Sequence, residues 1–182
     1  MSKKTWVALF RGINVGGRNR APMARLTSVF ESLGCRSIRT YIQSGNVVFD
    51  VGRRGKKALT SSIEDAVESE FGFSVAVLLL TADELLTAIE LNPFRDSTAD
   101  QKMTHFYFLS GSPEIKTLES ISEIATESEK FALEGSVFYL HAPDGFGTSK
   151  LAKSAESKLG VKATARNLKT VLKLESMVLE TK

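Results

Sequence analysis

The chain has 182 residues, of which 42% are apolar and 25% charged, with a net charge of +3. That length and apolar content suffice to bury a core, as one domain or two small ones, and exclude an intrinsically disordered chain. The apolar run after Lys4 ends at Arg11, too short for a signal-peptide core or a membrane span, so we expect a cytoplasmic protein without a membrane partner. The single cysteine, Cys35, excludes an internal disulfide, and no metal or cofactor is predicted.

Charge is strongly segregated along the chain. Residues 1–60 hold 12 Lys and Arg against 2 Asp and Glu, residues 61–145 hold 4 against 16, and residues 146–182 hold 8 against 3. If both basic ends fold onto one side, the protein has a positive face that attracts phosphates or nucleic acid. The alternative is that the acidic middle pairs with the basic ends within the fold.

Apolar periodicity predicts alternating strands and helices in the first half of the chain. Short apolar runs bounded by Gly, Pro or Ser indicate strands, and a 3.6-residue period indicates helices. The predicted order is strand, helix, strand, strand, helix, strand, at residues 5–10, 22–33, 36–43, 46–51, 57–71 and 74–80. Gly34 and Gly72 follow the two helices, where glycine commonly ends a helix.

The same order is predicted again after a linking helix at 82–91. The second set comprises a strand at 105–109, a helix at 113–122, strands at 130–133 and 136–141, a helix at 149–159 and a strand at 161–165. A terminal helix begins near Asn167, which is a suitable cap. Two βαββαβ sets predict an α+β chain of two tandem ferredoxin-like (split βαβ) subdomains with an additional C-terminal helix.

The predicted domain boundary lies just before the linking helix. Residues 1–81 form the first subdomain, and residues 82–182 hold the linker helix, the second subdomain and the C-terminal helix. Each sheet is expected to carry helices on one face. The other face must then bind a ligand, pack on its twin, or be covered by the extra helices.

A glycine-containing loop with three arginines follows the first strand. Residues 11–20 read Arg-Gly-Ile-Asn-Val-Gly-Gly-Arg-Asn-Arg, and a helix opens at Pro22. Glycines let a backbone approach a ligand closely, and N–H groups at a helix start favour an anion. The loop has the G-x-x-x-x-G spacing of a P-loop, but Arg18 and Asn19 replace its Lys and Ser/Thr, so hydrolysis of nucleoside triphosphates is not predicted. A phosphate or carboxylate is the expected ligand.

The predicted topology brings this loop beside a second motif. In a split βαβ unit the first and third strands are antiparallel neighbours, so Arg11 should lie beside Ser44, Gly45 and Asn46. Arginines hold an anion, glycine N–H groups contact it, and Gln, Ser and Asn side chains add neutral hydrogen bonds. The predicted ligand-binding residues are Arg11, Asn14, Gly16, Gly17, Arg18, Gln43, Ser44 and Asn46. The alternative is a structural brace, in which Asn14 and Asn46 satisfy backbone groups of turns.

A second strand-to-helix loop contains residues 144–150. Thr148 or Ser149 is able to cap the helix, and Lys150 in its first turn is unfavourable for the helix dipole, which mildly suggests another role. The second group of candidate ligand residues is Gly145, Ser149, Lys150, Arg166 and Asn167. The alternative here is an ordinary capped helix with a solvated lysine.

Three classes of function fit these patterns. A binding module would hold an anionic small molecule, such as a nucleotide or phosphometabolite, or nucleic acid through its basic loops. An enzyme would need an acid or base, and His105 and His141 would share a face if Tyr107 pairs with Tyr139. No catalytic residue is assigned. An interaction protein would dimerise through an open sheet face, with the motifs serving only the fold.

The motifs together resemble a known bacterial family. The carrying segments are Arg11 to Gly17, Met23, Tyr41 to Phe49, Pro143 to Gly145, Ser149 to Leu151, and Arg166-Asn167 with Thr170. They are similar to those of the bacterial domain of unknown function 1697, and the resemblance covers nearly the whole chain. It implies an α+β fold of two similar subdomains and no established activity. The family usually has Trp and Asn after the Arg-Asn pair, where this chain has Leu168 and Lys169.

Overall fold

In the computed structural model, residues 3–95, 101–113 and 117–180 are described. Among them are two four-stranded antiparallel sheets and six helices, which makes the chain a mixed α+β protein. The elements of the first half are β1 (Lys4–Arg11), α1 (Met23–Ser32), β2 (Arg36–Tyr41), β3 (Asn46–Val51), α2 (Lys56–Phe71), β4 (Ala76–Thr81) and α3 (Ala82–Glu90).

The second half repeats the order seen in β1 to β4. Its elements are β5 (Thr104–Leu109), α4 (Thr117–Ser122), β6 (Lys130–Glu134), β7 (Val137–His141), α5 (Lys150–Leu159), β8 (Ala163–Asn167) and α6 (Leu168–Leu179). The start of the helix predicted at 113–122 falls partly on residues 114–116, which lie outside the described residues. Among the helices of the described ranges, none combines the length and the apolar content that a membrane crossing requires.

The chain divides into two compact units. One lies within Met1–Thr87 together with Lys173–Lys182, and the other within Ala88–Leu172. The C-terminal half of α6 therefore belongs with the first unit.

The sheet of the first unit has the order β2-β3-β1-β4. In this sheet Trp6 pairs with Phe49, and Leu9 pairs with Asn46. Helices α1 and α2 bury Leu26, Phe30, Leu59, Ile63 and Val67 against one face. Helix α2 ends at Gly72, whose φ of 75° is the left-handed conformation that glycine adopts without strain.

The sheet of the second unit has the order β6-β7-β5-β8. Helix α5 begins at Ser149, ends at Gly160, and buries Leu151, Ala155 and Leu159 in the core of this unit. Asn167 accepts a hydrogen bond from the backbone N–H of Thr170 at 2.9 Å, which confirms it as the cap of the terminal helix.

In each unit a helix outside the βαββαβ set contacts the sheet. In the first unit, Arg39 on β2 donates to the backbone carbonyl of Met177 and pairs with Glu180 at 3.1 Å. In the second, the hydroxyl of Tyr139 on β7 donates to the carbonyl of Ala88 at 2.7 Å. The central strands β3, β5 and β7 are buried along their whole length.

The predicted pairing of Tyr107 with Tyr139 is wrong by one residue. Phe106 pairs with Tyr139, and Thr104 pairs with His141. Since successive side chains of a strand point to opposite faces, this slip puts the rings of His105 and His141 on opposite faces of the sheet. The two histidines do not form one acid–base site.

Candidate functional site

The loop at residues 11–20, here called the arginine loop, is a small hairpin. The backbone N–H of Arg18 donates to the carbonyl of Val15 at 3.0 Å, and that of Asn14 donates to Asn19 at 3.0 Å. Between them Gly16 and Gly17 have φ values of 58° and 76°, the pattern of a type I′ turn. Two glycines at this position therefore fix the tip of the loop, because other residues are strained at both φ values.

Two asparagine side chains fix the base of the arginine loop. The amide of Asn14 donates to the carbonyls of Ala21 and Gln43, both at 2.9 Å, and accepts from the N–H of Ala21 at 2.8 Å. The amide of Asn19 donates to the carbonyl of Gly12 at 3.1 Å. Asn14 and Asn19 have φ values of 54° and 49°, and Asn tolerates this region better than other non-glycine residues.

The turn between β2 and β3, residues 42–45, packs closely against the start of the arginine loop. A Cβ at Gly45 would lie 2.5 Å from the Cδ1 atom of Ile13 and 2.6 Å from the Cβ of Phe10, so only glycine fits there. Asn46 is fully buried, and its amide donates to the carbonyl of Tyr41 and the hydroxyl of Ser44. The amides of Asn14 and Asn46 therefore satisfy turn backbone, as the structural alternative predicted.

Two apolar side chains at these tips are exposed. Val15 is 62% exposed and Ile42 is 51% exposed. Ile42 also has a φ of 50°, which is an outlier for a β-branched residue and stores strain of about 1–3 kcal/mol. Neither residue was identified from the sequence, because an apolar residue beside a strand is indistinguishable from a core residue by pattern alone.

The charged side chains of the arginine loop are exposed to solvent. Arg11, Arg18 and Arg20 are all exposed. Within the described part of the chain, the side chains of Arg18 and Arg20 form no ion pair. Residues 11–20 contain three arginines and no carboxylate, so the loop itself carries only positive charge.

The predicted ligand residues of the first group thus occupy two adjoining loops. The antiparallel pairing of β1 with β3 places the start of the arginine loop beside the turn at residues 42–45. Gln43 is exposed and Ser44 is partly exposed, whereas Asn46 is buried. The exposed polar groups are therefore those of Arg11, Gly16, Gly17, Arg18 and Gln43, with a smaller contribution from Ser44.

The second group of candidates lies in the connection before α5, at the start of that helix and at the end of β8. Ser149 caps α5 by accepting from the N–H of Ala152 at 2.9 Å, and its hydroxyl donates to Glu129. Asn167 pairs with His105 across the β5–β8 ladder, and Arg166 pairs with Phe106. Burial lowers the pKa of Arg166 to about 10. Gly145 and Lys150 flank the capping serine on either side.

The two histidines have different surroundings. The ring of His105 stacks on Phe146 with centroids 3.6 Å apart, and its Nδ1 atom is buried without a hydrogen-bond partner among the described residues. Burial lowers the pKa of His105 to about 4. On the other face, the Nδ1 of His141 lies 3.0 Å from the hydroxyl of Thr104, and burial together with Lys130 lowers its pKa. Both rings are packed parts of the fold.

Metal ligands do not cluster in the described ranges. No group of three or more His, Cys, Asp or Glu side chains there is arranged to hold an ion. Cys35 is buried, and burial raises its pKa to about 11.

An α+β chain with two similar sheets and an arginine loop of this construction falls in a defined protein family. Residues 3–139 match the family described as protein of unknown function (DUF1697), and the chain belongs to that family. No protein of curated function matches the sequence.

A solved bacterial structure resembles the chain over nearly its whole length. The conserved bacterial protein SP0830 from Streptococcus pneumoniae superposes with a TM-score of 0.78 at 22% sequence identity. The alignment covers 97% of this chain and 99% of that one. At this identity the likeness establishes a common fold alone.

Proposed function

We propose that this protein binds an anionic, phosphate-bearing small molecule, such as a nucleotide or a phosphometabolite, at the arginine loop. One observation supports the proposal most directly. Two exposed guanidinium groups, those of Arg18 and Arg20, stand on a loop whose backbone is already held by asparagine side chains in the ligand-free protein. Fixing it beforehand reduces the entropy lost when a ligand binds.

The proposed roles divide between contact and support. The guanidinium groups of Arg18 and Arg20, together with that of Arg11, neutralise phosphate charge and match its oxygens in a fork geometry. The N–H groups of Gly16 and Gly17 approach the ligand closely because these residues have no side chain. Gln43 and Ser44 add neutral hydrogen bonds, while Asn14 and Asn46 hold the two loops in register.

A thermal-shift screen tests the proposal. Nucleotides, sugar phosphates and pyrophosphate are titrated, since a ligand that binds only the folded state raises the melting temperature by mass action. The variant Arg18→Gln/Arg20→Gln should lose the shift while the ligand-free protein melts as the wild type does. A control with the same charge change, Lys153→Gln/Lys162→Gln, alters exposed lysines of the second unit and should keep the shift. No shift with any compound, or equal loss in the control, contradicts the proposal.

A second candidate function is an interaction protein in which the polar motif residues serve the fold. It is favoured by the exposure of Val15 and Ile42 on adjoining tips and by the commitment of Asn14 and Asn46 to turn backbone. Light scattering over a range of protein concentrations would detect self-association. Val15→Ser/Ile42→Ser should abolish it under this reading and should leave a phosphate-induced thermal shift largely intact under the first.

We also infer that each unit is a ferredoxin-like split βαβ fold. Support comes from the βαββαβ order and from strand orders that are the same in both sheets. The proposed boundary lies between residues 81 and 82, with the linker helix, the second fold and the C-terminal helix in 82–182, although the last part of that helix groups with the first unit. A cytoplasmic location is proposed as well.

A further inference from the structure

Seven basic residues converge at the end of the first unit's sheet that is remote from the arginine loop. Lys4 at the start of β1 pairs with Val51 at the end of β3, and Arg36 at the start of β2 pairs with Asp50. The connection from β3 to α2 leaves from the same edge. These basic residues, here called the basic end, are Lys3, Lys4, Arg36, Arg53, Arg54, Lys56 and Lys57.

Two of the seven have a close partner among the described residues. Lys56 pairs with Glu84 at 2.9 Å, and the ammonium group of Lys4 lies 4.8 Å from the ring centroid of Trp6. The remaining five are exposed and form no ion pair within the described ranges: Lys3, Arg36, Arg53, Arg54 and Lys57. Of the neighbouring carboxylates, Asp50 is buried and accepts from Thr5 at 2.8 Å. Glu84 pairs with Lys56 and also interacts with Lys4, and Asp83 lies in the same first turn of α3, so these carboxylates compensate only part of the positive charge.

The fold gains little from this charge. Helix α2 starts with Lys56 and Lys57, has no acidic residue in its first turn and has no side-chain cap. Cations at a helix N-terminus oppose the helix dipole, so these lysines destabilise the start of α2 slightly. Lys56 is paired with Glu84, but Lys57 is exposed and adds an unfavourable charge to this turn, which fits a role in binding.

We propose that the basic end binds double-stranded nucleic acid through its phosphate backbone, without reading the base sequence. Five unpaired cations on three adjacent segments match a row of phosphates, which binds mainly through release of counterions. This surface lies beyond the small-molecule site proposed above, because Lys4 and Arg11 are the two ends of β1, about 23 Å apart at the usual rise of a strand.

The composition of the basic end separates a duplex from other polyanions. The exposed large apolar residues of the described chain are Val15, Ile42, Leu91 and Leu179, and all lie outside it, so there is no apolar anchor for a lipid surface. Single strands are held largely by bases stacked on exposed aromatic rings. Trp6, the aromatic residue beside Lys4, is only 2% exposed. Backbone contacts to a duplex need neither feature.

The test is the salt dependence of binding to a labelled 20-base-pair duplex, measured by fluorescence anisotropy between 50 and 200 mM salt. Five phosphate contacts give a logarithmic slope of about −4.5, which is a loss in affinity of roughly 500-fold over that range. Two duplexes of unrelated sequence should bind alike. Arg53→Gln/Arg54→Gln/Lys57→Gln should make the slope shallower, at about −2, since each lost phosphate contact removes close to one unit of slope.

Two controls isolate the surface. Lys153→Gln/Lys158→Gln/Lys162→Gln makes the same change of net charge in the second unit and should leave the slope unchanged. Arg18→Gln/Arg20→Gln should also leave it unchanged, which separates this inference from the small-molecule proposal. The conservative variant Arg53→Lys/Arg54→Lys/Lys57→Arg should bind as the wild type does, and melting temperatures verify that every variant is folded.

Several results would overturn the inference. They are absent duplex binding at 50 mM salt, an equal fall in slope in the second-unit control, or a slope unaffected by the three substitutions at the basic end. Tighter binding to vesicles of phosphatidylglycerol and phosphatidylcholine than to the duplex would assign the surface to a lipid membrane instead. Tighter binding to a single strand than to the duplex would show that the basic end prefers single-stranded nucleic acid despite its lack of exposed aromatic rings.

Discussion

The connections from β3 to α2 and from β7 to α5 occupy the same place in the order of their units but are built in opposite ways. The first, residues 52–55, is short, basic and exposed, and the helix after it has no side-chain cap. The second, residues 142–149, is longer, and its side chains bond to their own unit. Ser128 donates to Asp144 at 2.6 Å, Ser149 caps α5, and Phe146 stacks on His105.

This difference separates residues that stabilise a fold from residues that are available to a partner. The side chains of the connection at 142–149 make hydrogen bonds and ring contacts within their own unit, so mutations there should change stability. The side chains at 52–55 make few such contacts in the folded chain, so mutations there should change binding. The contrast is testable through four substitutions, from the largest expected effect on stability to the smallest.

The largest effect should be the pH dependence due to His105. Its pKa is about 4 in the folded chain against 6.5 for an ordinary histidine, because it is buried beneath Phe146. Above pH 6.5 the ring is neutral in both states. As the pH falls from 6.5 towards 4 the unfolded chain takes up a proton that the folded chain does not, so the free energy of unfolding drops by up to about 3 kcal/mol.

Urea unfolding of the wild type and His105→Phe at pH 7 and pH 4.5 measures this contribution. Phenylalanine keeps an aromatic ring against Phe146 but binds no proton. The wild type should lose more stability than the variant between the two pH values, by about 2–3 kcal/mol. Equal losses would show that His105 titrates normally and that the stack does not exclude water.

The second effect should come from Phe146 itself. Phe146→Ala removes the ring that covers His105 and packs beside Tyr107, and we expect a loss of about 2 kcal/mol, below the cost at a fully buried site. Phe146→Leu keeps much of the apolar area and should lose less than half as much. Urea midpoints at pH 7 report both. An alanine variant as stable as the wild type would mean that the connection at 142–149 is as dispensable to the fold as residues 52–55.

Local signals in the sequence predicted most of the fold. Gly72 and Gly160 end their helices with φ values of 75° and 65°, and such positions are recognisable because glycine adopts them without strain. Asn167 as a cap was predicted for the same kind of reason. Each element was found because its determinants lie within a few residues of one another.

Long-range register was not predictable in the same way. Strands β5 and β7 are buried on both faces, so a slip of one residue exposes no apolar side chain and the sequence pattern carries no penalty for it. The pairing of His105 with His141 failed for this reason. At the arginine loop the residue types were identified, but the role of Asn14 depends on Ala21 and Gln43, whose approach is a property of the folded chain.

The third effect concerns the cap at Ser149. Ser149→Ala removes the bond to the N–H of Ala152 and leaves the carboxylate of Glu129 without this donor, which should cost about 1 kcal/mol. Ser157→Ala, on the exposed face of the same helix, is the matched control and should change stability by less than about 0.5 kcal/mol. If both variants unfold at the same urea concentration, the cap contributes nothing and the contrast with α2 disappears.

The smallest effect should be a gain of stability in the first connection. Gly55 precedes α2 with φ −67° and ψ 139°, a conformation open to any residue, and a Cβ there would touch nothing within 4 Å. Gly55→Ser should therefore add the missing cap and stabilise the chain by a few tenths of a kcal/mol, measured by urea unfolding.

Gly52→Ser is the control, because it makes the same change in the unfolded chain without a helix to cap. A gain in Gly55→Ser alone shows that α2 is left uncapped although a cap fits there. Equal effects in the two variants would mean that serine acts on the unfolded chain. The uncapped N-terminus of α2 would then be no evidence that this surface binds a partner.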